Sequence, residues 1–323
     1  MAPVPVETFT VRAIVFYDEN NNGMLDINEG SRVPDVALEI RGNTGRSAKV
    51  SGDVQIANVP RGTQTVGVNA GTLPPFYTPP AQPITVTVPQ TDNVMVPLTL
   101  NIGANRPHVY MAFGDSITNG DGSGDDQGYR DRLRLKLEAH FGRGQVVNEG
   151  ISGGRSSFGA DRMPESLRRA RPAYSLIMYG TNDWNDGVCK VATTPPCYTI
   201  DMLRDIVRSA KGSQSLPVLA TLPMVNPAFE DRGAEDRNRW VTDISVRIRA
   251  MAREEGAAVA DVQAAFARAG DLRRLFTDHI HPNDDGYELI AQEFFKAVSA
   301  PRDSATTTSV LPFRLFVRPA GPR

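Results

Sequence analysis

Val109-Tyr110-Met111-Ala112-Phe113-Gly114-Asp115-Ser116-Ile117-Thr118 is an apolar run that ends in a turn carrying a serine. Such a run, bounded by a turn, reads as a buried strand, and Ser116 then lies at its exit, where an open α/β sheet gathers its ligands. Two more chemically suggestive segments follow predicted strands: Asn148-Glu149-Gly150-Ile151-Ser152-Gly153 and Gly180-Thr181-Asn182-Asp183. Far downstream, Asp278-His279-Ile280-His281-Pro282 supplies an acid and an imidazole separated by two residues.

Around these segments the chain alternates. From residue 108 onward, strand-like runs at 108–113, 145–148, 174–179, 217–222 and 257–262 are interleaved with helix-like runs at 129–141, 161–170, 200–211, 236–255, 262–269 and 285–298. Alternation of this kind implies βαβ units, a parallel sheet and helices on both of its faces. Residues 8–101 are different. Strand-like runs at 8–17, 33–41, 54–59, 63–69, 84–88 and 94–100 are punctuated by Gly, Pro and Asn, as in Arg41-Gly42-Asn43-Thr44-Gly45, and predict a small β-sandwich. The expected division is therefore a β-domain at 1–101, a linker at 102–107, an α/β domain at 108–299 and an extended C-terminal tail at 300–323. The tail holds an apolar run at 310–317 that is expected to pack against one of the domains.

The 323 residues are 40% hydrophobic, ample for two cores, and carry a formal charge of -2. That balance gives no field for nucleic acid or an anionic membrane surface. No apolar run approaches the roughly 20 residues needed to span a bilayer. No charged leader precedes the first domain, and we expect a mature secreted or cell-surface protein whose leader is missing from this sequence. Cys189 and Cys197 stand close together in a turn-rich stretch. Bridged, they would close a short loop worth about 2.5 kcal/mol and suit an oxidising compartment; the alternative is two unpaired thiols. With no histidine nearby, they make a poor metal site.

A serine hydroxyl attacks only when a base takes its proton, and the base needs a partner to hold its tautomer. Ser116, His281 and Asp278 suit those roles. Of the other histidines, His108 and His140 are expected to be solvated, and His279 is the competitor to His281. Pro282 and the turn Asn283-Asp284-Asp285-Gly286 favour His281 as the one held in a fixed loop. Acyl transfer also needs donors aimed at the developing oxyanion. Candidates are the backbone N–H of Ser116 and of Gly153 and the side-chain amide of Asn182. Taken singly, Gly153 reads as an ordinary turn glycine and Asn182 as a cap.

Taken together, the four segments resemble the SGNH, or GDSL, hydrolases over roughly residues 108–299. Gly114-Asp115-Ser116 matches the first block, Asn148-x-Gly150-x-x-Gly153 the second, Gly180-Thr181-Asn182-Asp183 the third and Asp278-x-x-His281 the last. The resemblance implies a flavodoxin-like three-layer α/β/α fold, Ser116 as nucleophile, Gly153 and Asn182 as oxyanion donors, and Asp278 and His281 as the acid and base of a triad. The stretch 184–198, which holds both cysteines, looks like an insertion after the third block: a wall or lid for the acyl site, or a plain surface loop. His279 is expected to point to solvent.

A second pattern lies in the first domain. Asp18-Glu19-Asn20-Asn21-Asn22-Gly23-Met24-Leu25-Asp26-Ile27-Asn28-Glu29 places oxygen side chains at positions 1, 3, 5, 9 and 12 of a twelve-residue loop, with glycine at position 6. Asp18, Asn20, Asn22, Asp26, Glu29 and the backbone carbonyl of Met24 are candidate ligands for structural calcium; the alternative is a metal-free hairpin. The arrangement resembles the calcium-binding B repeats and related prealbumin-like domains of bacterial surface proteins.

The function these readings imply is a serine esterase with no catalytic cofactor. It would hydrolyse short-chain, above all acetyl, esters through an acyl-serine, with acetylated polysaccharide as a substrate class. Aryl esterase, lysophospholipase and thioesterase activities are alternatives within the family. A calcium-dependent surface-binding protein with an inactive hydrolase domain is the alternative from another class.

Overall fold

In the computed structural model, which describes residues 6–302, the segment before residue 100 forms strands and a single 3-10 turn, Ala70–Thr72. The strands are β1 (Thr8–Tyr17), β2 (Ala37–Ile40), β3 (Asn43–Arg46), β4 (Asp53–Pro60), β5 (Gly62–Val68), β6 (Ile84–Val88) and β7 (Val94–Leu98). They build a three-stranded sheet in the order β4-β1-β7 and a four-stranded sheet in the order β3-β2-β5-β6. Val11, Ala13 and Val15 alternate inward along β1 and meet Leu38, Ile40, Val66 and Val86 in one apolar cluster. Strand β3 corrects the sequence reading, which took 41–45 as a turn. Arg41 and Gly42 both have positive φ, 49° and 81°, so these two residues alone make the hairpin turn and Asn43 already pairs with Ile40.

The later strands are β8 (Arg106–Gly114), β9 (Gln145–Gly150), β10 (Pro172–Met178), β11 (Leu216–Ala220) and β12 (Ala258–Ala260). All their pairings are parallel, and the order is β9-β8-β10-β11-β12. Counted along this part of the chain, the order is 2-1-3-4-5, so the strand order reverses between β8 and β10. The helices are α1 (Ser116–Asn119), α2 (Tyr129–Phe141), α3 (Ser156–Ala170), α4 (Gly187–Lys190), α5 (Thr199–Gly212), α6 (Ala234–Glu255), α7 (Val262–Arg268) and α8 (Asp284–Ser299).

The sheet is covered on both faces because successive strand residues point to opposite sides. Tyr110, Ala112, Tyr174 and Leu176 pack with Leu133 and Leu137 of α2, Phe266 of α7 and Ile290 and Phe294 of α8. Met111, Phe113 and Ile177 pack on the other side with Leu167 of α3, Ile206 of α5 and Ile244 of α6. Two boundaries differ from the sequence expectation. Strand β8 takes the last two residues of the expected linker, and α3 begins five residues early. Gly159 weakens the helical signal there. In the structure it lies against the Tyr179 ring, where an added Cβ would sit 2.8 Å from Cε2.

The strand-only segment and the α/β segment touch through named side chains. Tyr77 stacks near Phe141 at 6.5 Å between ring centres, and Phe76 meets Tyr174 edge-on at 6.2 Å. His108, expected to be solvated, instead lies edge-on to Tyr17 with its Nε2 2.6 Å from Glu19 Oε1. His140 is likewise half-buried, edge-on between Phe141 and Phe295, and burial lowers its pKa. Arg302, the last of the described residues, donates its backbone N–H to Leu73 O. Of the expected tail, everything beyond residue 302 lies outside the described residues.

Where β8 ends, its backbone runs hard against β10: a Cβ on Gly114 would stand 2.4 Å from the Met178 carbonyl and 2.1 Å from Thr118 Oγ1. Gly114→Ala is therefore expected to destabilise the fold by about 1–3 kcal/mol, as overpacking does. A melting temperature lower by several degrees in calorimetry would show it; an unchanged one would mean the strand ends yield freely.

Candidate active site

Ser116 is the first residue of α1, directly beyond the end of β8. Asp115 caps this one-turn helix, its Oδ1 accepting the Ile117 N–H at 3.0 Å. The Ser116 N–H, at the first helical position, has no intrahelical acceptor.

His281 lies far from Ser116 in sequence, on the loop before α8. That loop is pinned by a Phe276–Pro282 bridge, by Thr277 N–H donating to His281 O at 3.0 Å, and by Asn283, whose side chain caps α8 through Asp285 and Gly286. Asp278 shapes it from within. Its Oδ1 accepts the backbone N–H groups of Ile280 and His281 at 2.8 and 2.7 Å, while Oδ2 lies 2.7 Å from His281 Nδ1. One carboxylate thus sets both the backbone and the ring. Its partial burial alone would raise its pKa, but the His281 N–H, the His281 ring and the Ile280 N–H outweigh this and hold it below the usual range. With Nδ1 donating to Asp278, His281 Nε2 is the acceptor, and it stands 3.0 Å from Ser116 Oγ.

The candidate oxyanion donors come from the turns after β9 and β10. Gly153 has φ +78°, a conformation suited to glycine, and its N–H makes no hydrogen bond among the described residues. Asn182 donates one amide hydrogen to Gly154 O at 3.0 Å, which orients the amide; its second hydrogen has no acceptor among the described residues. Asp183, which sequence reasoning left without a role, is buried beneath it. It accepts Ser156 N–H at 2.9 Å, Ser156 Oγ–H at 2.6 Å and Thr199 Oγ1–H at 2.7 Å. Burial raises its pKa despite these bonds. Asp183 thereby ties the Asn182 turn to the start of α3, immediately after Gly153 and Gly154. The only sequence signal was its place beside Asn182.

The expected insertion at 184–198 is packed down. Cys189 and Cys197 form a disulfide, Asp186 takes Arg155 at 2.8 Å and the Tyr198 hydroxyl at 3.3 Å, and Trp240 Nε1 donates to Ala192 O at 3.2 Å. These contacts hold the stretch against Trp240 of α6 and against Arg155, the residue before α3. His279, expected to face solvent, is half-buried with its ring 6.1 Å from Phe229, and burial lowers its pKa. Two surface hollows of about 440 and 510 Å³ are lined elsewhere, and neither includes Ser116 or His281. Beside Ser116 the rim is polar: Ser152 Oγ donates to Asp121 Oδ2 at 2.7 Å, and Asn119 Nδ2 to Asp121 Oδ1 at 2.7 Å.

The candidate calcium loop lies apart from this site. Asp18 and Glu29 are each only 3% exposed, and their carboxylates accept backbone N–H groups alone: Asn22 and Gly23 to Asp18, Glu19, Asn20 and Asp26 to Glu29. Asn20 and Asn22 both donate to Asp26. Among the described residues no three acidic, histidine or cysteine side chains converge as a ligand group by themselves, so an ion here would need the neutral oxygens of Asn20, Asn22 and Met24 as well.

Residues 112–289 match the sequence model of the GDSL-like lipase/acylhydrolase family. The chain is 26% identical over 164 residues to an acetylxylan esterase of Geobacillus stearothermophilus, a span of 48% of this chain and 72% of that protein. A solved structure of an acetyl xylan esterase variant from the same organism aligns with a TM-score of 0.50 and 25% identity, covering 61% of this chain and 96% of that one. A structure from Parabacteroides merdae described as a GDSL-like lipase has a TM-score of 0.51 at 20% identity, covers 61% of this chain and 98% of that one, and bears on fold alone.

Asp115 carries a pH signature. Burial raises its pKa from 3.8 to about 7, nearby Asp183 adds to the rise, and the Ile117 N–H, His281 and Arg237 oppose it. The folded state thus holds this proton more tightly than the unfolded chain. The stabilisation is complete below pH of about 4 and is lost as the pH rises through about 7. Asp115→Asn, neutral throughout, is expected to flatten the fall in stability over that window in urea titrations; a curve as steep as wild type would assign the slope to other groups.

Proposed function

The chain belongs to the GDSL-like lipase/acylhydrolase family and is a carboxylic ester hydrolase, and we propose that it releases short acyl groups, acetyl above all, from a hydroxylated alcohol such as a polysaccharide. The observation that carries this reading is the relay Ser116 Oγ, His281 Nε2, His281 Nδ1, Asp278 Oδ2, with links of 3.0 and 2.7 Å.

In this reading His281 takes the Ser116 proton as Oγ attacks the ester carbonyl. The oxyanion is met by the N–H groups of Ser116 and Gly153 and by the second amide hydrogen of Asn182, donors that each contribute roughly 3–4 kcal/mol in comparable sites. His281 then gives its proton to the leaving alcohol, and an acyl-Ser116 remains. Water, deprotonated by His281, attacks the acyl carbon and releases the acid and the free serine. Asp278 stays ionised throughout, consistent with its lowered pKa, and stabilises the imidazolium.

The substrate class rests on two supports. The similar Geobacillus proteins are acetylxylan esterases by name. The rim of Asn119, Asp121 and Ser152 offers side-chain oxygens and an amide suited to sugar hydroxyls. The assembled relay favours hydrolysis over a binding-only role. An extracellular or cell-surface setting fits the Cys189–Cys197 disulfide, and no helix of the described residues is long and apolar enough to cross a membrane. The strand-only segment is read as an accessory unit, with the 18–29 loop holding a structural calcium ion. Supporting the ion are the buried Asp18 and Glu29 carboxylates, which have no cationic side chain among their hydrogen-bond partners.

Ser116→Ala is expected to lower p-nitrophenyl acetate hydrolysis by about 10⁴-fold or more while the protein stays folded. The wild type should prefer acetyl over octanoyl esters and release acetate from acetylated xylan. Undiminished activity in the variant would remove Ser116 from the mechanism, and a preference for octanoyl would remove the short-chain assignment. For the loop, calorimetric titration with calcium is expected to give saturable heat and a higher melting temperature that a chelator reverses. A flat titration with no thermal shift would remove calcium.

A further inference from the structure

Six buried side-chain polar atoms lack a hydrogen-bond partner among the described residues, and three of them belong to Asp115 (Oδ2), Thr181 (Oγ1) and Arg237 (Nε). The three residues are between 1% and 6% exposed. Leaving even one such atom unpaired in the interior is costly, more so when it is charged. They also belong to one neighbourhood. Arg237, on the first turn of α6, donates from its guanidinium to the carbonyl of Thr181, the residue that precedes Asn182. Asp115 precedes Ser116 and spends only Oδ1, on the Ile117 N–H. Gly114 and Met178 are register partners, so the turns that follow them leave the sheet side by side. Burial lowers the pKa of Arg237 to about 10, and Asp115 is the charge that opposes the fall. The two do not form a direct ion pair within 4.0 Å, so they are close enough to feel each other and too far apart to bond.

A hydroxyl, a carboxylate oxygen and a guanidinium N–H left unpaired in one buried neighbourhood are the partners an internal water requires: one donor to it and two acceptors from it. We propose that Arg237 is a positioning residue of the hydrolytic site, which with Asp115 and Thr181 builds a buried bridge through one internal water and locks the Ser116 turn to the Asn182 turn. Arg237 touches neither substrate nor the reacting atoms. It acts by holding the Thr181 carbonyl on one side and, through the bridge, the Asp115 carboxylate on the other. The nucleophile and an oxyanion donor are thereby kept at a fixed separation, and small misplacements of such groups cost large factors in rate.

The inference rests on Ser116 as nucleophile, so its test separates the two. Wild type, Arg237→Gln, Asp115→Asn and the double variant are each titrated with a fluorescent phosphonate ester that labels activated serines. The kcat and KM for p-nitrophenyl acetate are then measured per labelled site. No labelling of the wild type would overturn the Ser116 reading itself, whatever the cycle shows. Given labelling, each single variant is expected to lose about 10-fold or more in kcat with KM within about twofold. The double variant should lose clearly less than the product of the two, because both single changes break the same bridge and the second has little left to remove. Single variants within about twofold of wild-type kcat, or losses that multiply, would overturn the bridge. Should Arg237→Gln fail to fold, Thr181→Val removes only a hydroxyl, and Arg237→Lys keeps the charge. The proposal then requires lower kcat in the first and partial recovery towards wild type in the second. Unaltered kcat in Thr181→Val would refute it.

Discussion

The parallel pairing of β8 with its neighbours at their carboxyl ends is the constraint from which the site follows. Gly114 is in register with Met178 on one side and with Gly150 on the other. The turns that follow these three residues carry Ser116, Asn182 and Gly153. A slip of one residue along a strand would move a turn by about 3.3 Å, more than any hydrogen bond tolerates. Close approach enforces the register. Gly114 has no room for a side chain beside β10, and an added Cβ on Gly150 would stand 2.3 Å from the Asn119 nitrogen. Both glycines are needed for contact rather than for an unusual φ.

Buried charge holds the same strand ends from beneath. Glu149 of β9 is 7% exposed and pairs with Arg162 and Arg169. Arg162 lies over the Phe113 ring at 4.1 Å and donates to the Gly114 and Glu149 carbonyls and to the Tyr179 hydroxyl. One guanidinium thus reaches the ends of β8, β9 and β10. Buried ion pairs contribute little net stability because desolvation offsets their attraction. What this one supplies is position: the carbonyls that end the strands have a fixed donor. Asp183 does the corresponding work one layer higher, between the Asn182 turn and the first turn of α3.

The strand-only segment is joined to the rest by a polar contact at the foot of the sheet. Glu19 donates its backbone N–H to Glu29 within the 18–29 loop, and its side chain reaches His108 at the start of β8. Arg143, in the turn before β9, lies 4.0 Å from the same carboxylate. Whatever orders that loop therefore also orders the amino-terminal end of β8, the end opposite to Ser116. This geometry separates the two halves of the strand: one end meets the strand-only segment, the other leads into the turn that carries Ser116.

The alternation of apolar runs with helical periods was enough to determine the mixed α/β architecture, because a strand buried on both faces and an amphipathic helix leave different patterns in a linear chain. Helix α2 lies at the residues its period indicates; Ser116, Gly153 and Asn182 lie on turns that follow strands, as their segments suggested, whereas the candidate acid and base, Asp278 and His281, lie on the loop before α8. Boundaries were less legible. The Arg41-Gly42 hairpin and the early start of α3 depend on φ values and on a ring packed against Gly159, which no local pattern records. The states of His108 and His140 were misread for a related reason: a lone histidine carries no mark of the Glu19, Tyr17 or Phe295 side chains that other parts of the chain bring against it. Asp115, Asp183, Arg162 and Arg237 likewise look like ordinary charged residues in the linear chain. Their burial and partners exist only once β8, β9, β10, α3 and α6 have converged. Sequence periodicity determines which faces are buried, whereas the distances between charges far apart along the chain are decided by tertiary packing alone.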